Sequence, residues 1–424
     1  MSITICFFED SKYTQFYPLT YLRPVYTLRA GIVPLFQRAT RYFPDAHICL
    51  SARDLISPLT AEQNRDFPVN IIKRGDLDEV LFLNGRIRDY GDLPGLIRGS
   101  RISCCFKKNG EVVAALFKGE SVEKIAKLAI PSDYAAQRKR EGNDIVDFDT
   151  RATLYNYTWE IMADIEREVT EDFAVLRPSF PTTSQSIKRD GVHILKSDQL
   201  YIGEGTIVLP SAVLDASKGP IYIGANCKIE SQVAIYGPCA IGPNSVIVAG
   251  KIAASSIGHT CRVGGEVEES VFQSYVNKYH AGFIGHSYVG SWVNFGAMTT
   301  NSDLKNNYST IRLTVNGQSV DSGSIKVGSF IGDHTKFGIG TLLNTGINIG
   351  VCCNIFGGSL VTDKEIPSFS WGNTGSYQKY EVDKAVETAQ RTTERRNQTL
   401  TEREKTVLRA LAAKTDSNMG VINF

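Results

Sequence analysis

Glycine is missing from the first thirty residues: the chain opens MSITICFFEDSKYTQFYPLTYLRPVYTLRA, and Gly31 is the first. A loop that cradles phosphates with backbone N–H groups needs glycine to bring the main chain close, so that device is not offered here. Histidine is scarce, with six in 424 residues, and none of the nine cysteines stands in a CxxC pair or at ligand spacing to a histidine. That excludes the usual zinc patterns and points to reduced, mostly buried thiols in a cytoplasmic protein. No segment approaches the roughly eighteen consecutive apolar residues of a membrane span. The run ITICFF is followed at once by acids and reads as a first strand, not a signal peptide. A net charge of +1 gives no field for a nucleic acid, while leaving room for a local basic pocket that takes a small phosphate.

What is present divides the chain. Short apolar runs at 3–8, 46–50, 69–72, 79–85, 101–106 and 111–117, bounded by Gly, Pro and charges, read as buried strands of a mixed sheet. Helical patterns at 33–42, 121–129 and 153–171 fall between and after them, which makes an α/β layered domain. The charged stretch 131–150 reads as a surface loop or helical connector.

Past residue 200 the period changes. Ile223, Ile229, Ile235, Ile241 and Ile247 recur every sixth residue, as do Ile325, Ile331, Phe337, Leu343, Ile349, Ile355 and Val361, with Phe283, Val289 and Phe295 between the blocks. A six-residue period with an aliphatic side chain at one position predicts a left-handed parallel β-helix, three hexapeptides to a triangular coil. The rhythm breaks from Thr300 to Gly323, where TVNGQSVDSG predicts a hairpin with an Asn-Gly turn thrown outward from the wall. The tail from Tyr377 reads as helices, with Val382, Val386 and Ala389 on one stripe and Val407, Leu408 and Leu411 on another, while its middle is polar all round. These expectations give an α/β domain over 1–175, a linker over 176–200, a β-helix over 201–370 and a helical cap or oligomer contact over 371–424.

Three motifs lie in order inside the repeat: HAGFIG at 280–285, VNFGAMT at 293–299 and NSDLK at 301–305. Together with the sixfold period they resemble the acetyltransferase half of the GlmU family, bifunctional N-acetylglucosamine-1-phosphate uridyltransferases and glucosamine-1-phosphate acetyltransferases. The resemblance implies a Rossmann-like nucleotidyltransferase domain before the β-helix, acetyl-CoA as cosubstrate, an amino-sugar phosphate as acceptor and a homotrimer. His280 falls where the family places its catalytic base, and an imidazole titrating near neutrality suits the proton of an attacking amine. Asn294 matches an asparagine that holds the sugar, Ala297 a backbone contact to the acyl donor, Lys305 a lysine near the cofactor, and Gly357 a position lining the pantetheine groove. Phe283 stands where the family has tyrosine and His286 where it has an acid. Upstream, Glu266, Glu268 and Glu269 replace basic residues, so Arg262, Lys278 or a neighbouring chain must compensate if the acceptor carries a phosphate.

In the first domain Pro18-Leu19-Thr20 and Arg23-Pro24 resemble the later part of a sugar nucleotidyltransferase signature. That implies a nucleoside triphosphate substrate with Mg²⁺. Arg23, Arg29 and Arg86 are the candidate phosphate ligands in place of backbone amides, and Asp89, three residues after Arg86, is the candidate metal ligand. The other reading of the chain is a nucleotidyltransferase whose β-helix serves only as an oligomerising scaffold.

Overall fold

The computed structural model describes residues 3–72, 79–118, 146–180 and 190–419. The helix expected at 121–129 lies outside the described residues, as do 131–145 of the expected connector and 181–189 of the expected linker. The chain forms two compact units. One comprises Met1–Phe16, Leu22–Leu28 and Pro34–Tyr157, and the other Tyr17–Tyr21, Arg29–Val33 and Thr158–Phe424.

The first unit is built on a six-stranded mixed sheet in the order His47–Leu50, Thr4–Phe8, Glu79–Asn84, Glu111–Lys118, Cys104–Lys108, Val146–Asp149. The first three strands are parallel, and Glu111–Lys118 runs antiparallel to both of its neighbours. Alternation along Thr4–Phe8 shows why the run is apolar throughout: Ile5 and Phe7 pack on one face with Phe36, Leu81 and Leu93, while Cys6 and Phe8 pack on the other with Phe82 and Phe117. Both faces are buried, so no polar residue interrupts the strand. The apolar run at 69–72 makes only an isolated bridge, Leu50 to Val69, and Val146–Asp149 is a strand that the charged surroundings concealed.

The second unit is a left-handed parallel β-helix followed by two helices. One wall contains nine parallel strands from Leu200–Ile202 to Glu365–Ile366. Pairing begins earlier than the expected boundary at 201, since His193–Leu195 already pairs with Val213–Asp215. The helical pattern at 153–171 resolves into Thr158–Ala163 and Ile165–Leu176, and both helices belong to this unit. Asp172 fixes them to the segment Arg29–Val33 by accepting the N–H groups of Ile32 (2.7 Å) and Val33 (3.1 Å).

The six-residue rule holds only in part, and the exceptions have a structural cause. Ile221 pairs with Cys239, eighteen residues on, but Ser256 pairs with Val271, fifteen residues on. The long strands Val246–Ala253 and Arg262–Glu268 run straight through a corner, which removes turn residues and shortens these coils. The interior positions there are Ile252, Ile257, Val263 and Val267, five, six and four residues apart. Two expected core residues are corrected. Ile284, not Phe283, points inward, because Val267 pairs with Ile284; Ile325 is 46% exposed and lies outside the prism. The wall skips from Tyr288 to Phe330, and the intervening chain carries the expected hairpin, Arg312–Val315 against Gln318–Asp321, with Asn316 and Gly317 at positive φ in its turn.

Among the described residues, two places in the aliphatic file hold long polar side chains. Val263 pairs with Lys278, and Leu343 pairs with Asn301, so a lysine and an asparagine occupy places that aliphatic side chains fill elsewhere. A buried aliphatic side chain contributes about 1.5–3 kcal/mol, so both substitutions forgo ordinary core stabilisation and need hydrogen bonds to be tolerated. Asn301 donates to the carbonyl of Gly285 (3.0 Å) and accepts from its N–H (2.8 Å).

The tail forms helices Val382–Glu394 and Glu402–Met419. The first buries the small stripe Ala385, Val386 and Ala389, and the second buries Val407, Leu408 and Leu411.

Candidate functional site

His280 sits on the corner between strands Asn277–Lys278 and Phe283–Gly285. Its side chain is exposed and has no hydrogen-bond partner among the described residues, apart from an edge-to-face contact with Tyr279 at 5.5 Å. The backbone beneath it is held firmly. Ala281 accepts the N–H of Met298 in the next coil (2.9 Å). Gly282 has φ +130°, and a Cβ there would fall 2.1 Å from the carbonyl oxygen of Thr299, so only glycine fits. From inside the prism, the Lys278 ammonium donates to the carbonyls of Gly264 (2.6 Å), Gly282 (2.7 Å) and His280 (3.3 Å). Burial pushes its pKa down to about 8. Lys278 was expected to face the acceptor; it faces the core instead, because its place in the strand points inward.

The register gives the site a line. Asn277 pairs with Asn294, Asn294 with Lys336 and Lys336 with Asn354, so three residues on, His280, Ala297, Ile339 and Gly357 occupy the same corner of successive coils. At about 4.8 Å per coil the line spans roughly 14 Å. A methyl group at Ala297 and no side chain at Gly357 leave the backbone open, whereas Ile339 is 77% exposed. Three residues singled out in the sequence thus share one edge. Lys305 lies apart on the outward insertion, donating to the carbonyl of Thr310 (2.7 Å).

Asn294 is half-buried on the adjoining wall, where its Oδ1 accepts from Asn277 (2.9 Å). The Phe283 ring lies over Gly285, whose added Cβ would approach Phe283 Cζ to 2.3 Å. His286 is buried and committed: Nδ1 lies 2.7 Å from Asp303 and Nε2 2.9 Å from Glu269. Burial opposes its charge, but the hydrogen bonds from Asp303 and Glu269 outweigh burial and raise its pKa to about 9. His286 is therefore an imidazolium at neutral pH that ties the insertion to a coil corner, and no acceptor contact is left to it. The other two upstream acids are neutralised by Lys251, which bonds Glu268 and lies 3.3 Å from Glu266. The sequence reading missed Lys251; its partners are revealed only by the shortened coils, which pair it with Glu266.

In the first unit Arg86 is fully buried at the ends of two central strands. Its guanidinium makes a bidentate pair with Asp10 (2.9 and 2.5 Å) and also bonds Glu111 (2.8 Å) and the carbonyl of Tyr155 (2.5 Å). Four of its five N–H donors are thus committed to the protein. Arg23 is buried, with its carbonyl accepting from Arg53 (3.1 Å). Arg29 belongs to the other unit, where Nε donates to Ser256 (2.7 Å) and its carbonyl accepts from Tyr288 (2.9 Å). Asp89 is exposed, one oxygen already accepting from Gly91 (2.9 Å), and no group of three acids, histidines or cysteines is placed to hold a metal among the described residues. The cations beside Asp10 and Glu111 belong to the protein: the Arg86 guanidinium and, at Glu111, the Lys12 ammonium (2.9 Å).

The chain thus carries an α/β sheet unit and a hexapeptide β-helix unit, and the comparisons touch both. Residues 5–179 match the family model described as sugar nucleotidyl transferase. The chain is similar to the bifunctional sugar-1-phosphate nucleotidylyltransferase/acetyltransferase of Sulfurisphaera tokodaii, 32% identical over 157 residues, 34% of this chain and 37% of that protein. It is also similar to the bifunctional protein GlmU of Methanococcus vannielii, 30% identical over 139 residues, 32% of this chain and 31% of that one. Each match spans about a third of the relative's length. Among solved structures, Arabidopsis UDP-N-acetylglucosamine acyltransferase matches at 15% identity and a TM-score of 0.26, covering 56% of this chain and 85% of that one. No helix among the described residues is long and apolar enough to cross a membrane.

Proposed function

We propose that the β-helix unit transfers an acetyl group from acetyl-CoA to the amine of an amino-sugar phosphate, with His280 as the general base. The observation that carries this reading is the unpartnered imidazole of His280 on a rigid corner, at the foot of the open line of Ala297, Ile339 and Gly357. The amine nitrogen attacks the thioester carbon as the imidazole takes its proton; the tetrahedral intermediate then collapses, the C–S bond breaks, and the imidazolium returns the proton to the departing thiolate. Asn294 and the edge of Phe283 orient the sugar. The donor's extended arm follows the corner, where Ala297 and Gly357 leave room, and Lys305 stands on the adjacent insertion toward its phosphates. Assembly as a homotrimer belongs to the same proposal, as does a cytoplasmic location, which nine buried cysteines outside any disulfide favour. The assay is release of free thiol from acetyl-CoA across a panel of amino-sugar phosphates. We expect turnover with at least one, reduced about 10²–10⁴-fold in His280→Ala. Turnover with none, or an equally active variant, overturns the reading.

The family match favours a second activity, nucleotidyl transfer from a nucleoside triphosphate to a sugar 1-phosphate by the first unit. Release of pyrophosphate from a triphosphate in the presence of sugar 1-phosphates tests it, and absence of both binding and release removes it.

A further inference from the structure

The wall bearing Asn277 and Asn294 faces the first C-terminal helix across a cavity of about 450 Å³, the size of a small-ligand site. Five cations line it: Arg262 and Lys336 from the wall, Arg391, Arg395 and Arg396 from the helix and its end. No carboxylate lines it. Glu387 pairs with Arg391 (2.6 Å), but Arg262, Arg395 and Arg396 have no carboxylate partner among the described residues. Lys336 is buried, bonded to the carbonyl of Trp292 (2.6 Å), and burial pushes its pKa down to about 8. Arg396 donates to Asn277 (3.2 Å); burial and then the repulsion of Arg262 and Arg395 hold it below the usual guanidinium range.

Like charges gathered in a half-enclosed space repel, and water screens them poorly there. Such an arrangement is stable against its own repulsion when an anion completes it. Asn294 adds an amide N–H₂ whose donors are uncommitted among the described residues, so the cavity presents donors almost alone. The aromatic side chains beside it do not offer a stacking face. Tyr275 and Trp292 stack on each other at 4.0 Å, His334 stacks on Trp292 at 6.3 Å and His259 packs edge-on to Tyr275 at 4.9 Å. Both faces of the pair are taken, which disfavours a ligand recognised through a flat ring.

We propose that this cavity binds a small phosphorylated ligand, a phosphomonoester or diphosphate, clamped between the β-helix wall and the C-terminal helix. The site goes beyond the acyl-transfer reading: it shares Asn294 and Arg262 with the residues considered for the acceptor, but adds Arg391, Arg395 and Arg396, to which that reading gives no part. Guanidinium groups suit phosphate oxygens because they donate in parallel pairs.

Calorimetric titration of the full chain with inorganic pyrophosphate, at constant ionic strength, tests the proposal. We expect saturable binding that weakens about tenfold or more in Arg396→Ala and in Arg262→Ala, and that is unchanged in Lys384→Ala, an exposed residue paired with Glu381. Arg395→Ala, at an exposed position, serves if Arg396→Ala does not fold. His280→Ala is expected to keep full pyrophosphate binding, which separates this site from the acyl-transfer reading. Absence of saturable binding at millimolar pyrophosphate, or equal weakening in Lys384→Ala, overturns the proposal.

Discussion

His286 makes stability depend on pH in a direction that can be worked out. Its pKa rises from 6.5 unfolded to about 9 folded, so the folded state holds a proton that the unfolded state has released between those values. Where the folded state binds more protons, stability falls as pH rises. The contribution is fully present below pH 6.5 and lost as pH passes 9; at about 1.36 kcal/mol per pH unit it totals roughly 3 kcal/mol. Between pH 6.5 and 8 the loss is about 1.5 kcal/mol. Lys278 and Lys336 act in the opposite sense, since burial lowers both to about 8 and their release of protons stabilises the fold as pH rises. They contribute equally to the parent and to His286→Gln, so they cancel in the difference. Asp303 and Glu269 share the same interaction and are not counted again. The three tryptophans, Trp159, Trp292 and Trp371, all lie in the second unit, so their fluorescence during urea unfolding reports that unit alone. The stability gap between parent and His286→Gln is expected to shrink by about 1.5 kcal/mol from pH 6.5 to 8. A gap that stays constant refutes the imidazolium clamp.

Lys278→Met removes the ammonium from the Gly264 carbonyl inside the prism, while the Gly282 carbonyl keeps the N–H of Glu266 (3.1 Å); at about 1–3 kcal/mol for one unpaired group, less the relief of burying no charge, a loss near 1 kcal/mol is expected at pH 6.5 by the same urea titration. An unchanged midpoint would show that the ammonium contributes no net stability. Gly282→Ala forces a methyl group against the Thr299 carbonyl at positive φ, with an expected loss of at least about 2 kcal/mol and a matching fall in acetyl transfer as the His280 corner shifts. Retention of both contradicts the rigid corner. Arg86→Gln leaves Asp10 without its buried cation, while Glu111 keeps Lys12 (2.9 Å); with both acids partly exposed, a loss of about 2–3 kcal/mol is expected, limited proteolysis should cut the first unit faster in the variant, and equal rates would argue that the cluster is solvated.

The sixfold repeat was legible because an interior position tolerates little except an aliphatic side chain, and the periodic isoleucines declare it. The line of His280, Ala297 and Gly357 was legible through motif resemblance. What the residues alone did not disclose was coil length. A strand that runs through a corner alters the register without any marker residue, so the sixfold count falls on Phe283 where Ile284 points inward. The same slip hid the pairing of Lys251 with Glu266. Lys278 misled for a different reason: a lysine beside a catalytic motif suggests a surface cation, and only the strand's direction shows that it points to the core, where three carbonyls receive it. Arg29, expected with Arg23 and Arg86, follows a segment that belongs with the β-helix, a division which local sequence does not announce.

The C-terminal helix shows why the cavity exists at all. Its buried stripe is made of small side chains, so it has no broad apolar face to press flat against a wall. Ala385, Val386, Ala389 and Thr393 are buried along it, and these small side chains let it lie close while Arg391, Arg395 and Arg396 line its C-terminal end. Elsewhere on this unit charge is matched within the chain: Lys251 with Glu266 and Glu268, His286 with Asp303 and Glu269. Against that pattern, Arg262, Arg395 and Arg396 stand together without an acid. Leaving guanidinium groups half-desolvated and mutually repelling opposes the docking of the helix, so a bound anion and a docked helix should stabilise each other. Hydrogen exchange across Val382–Glu394 is therefore expected to slow when pyrophosphate binds. Slowing that persists in Arg262→Ala, at pyrophosphate concentrations that saturate the parent but not the variant, would mean that the anion acts elsewhere.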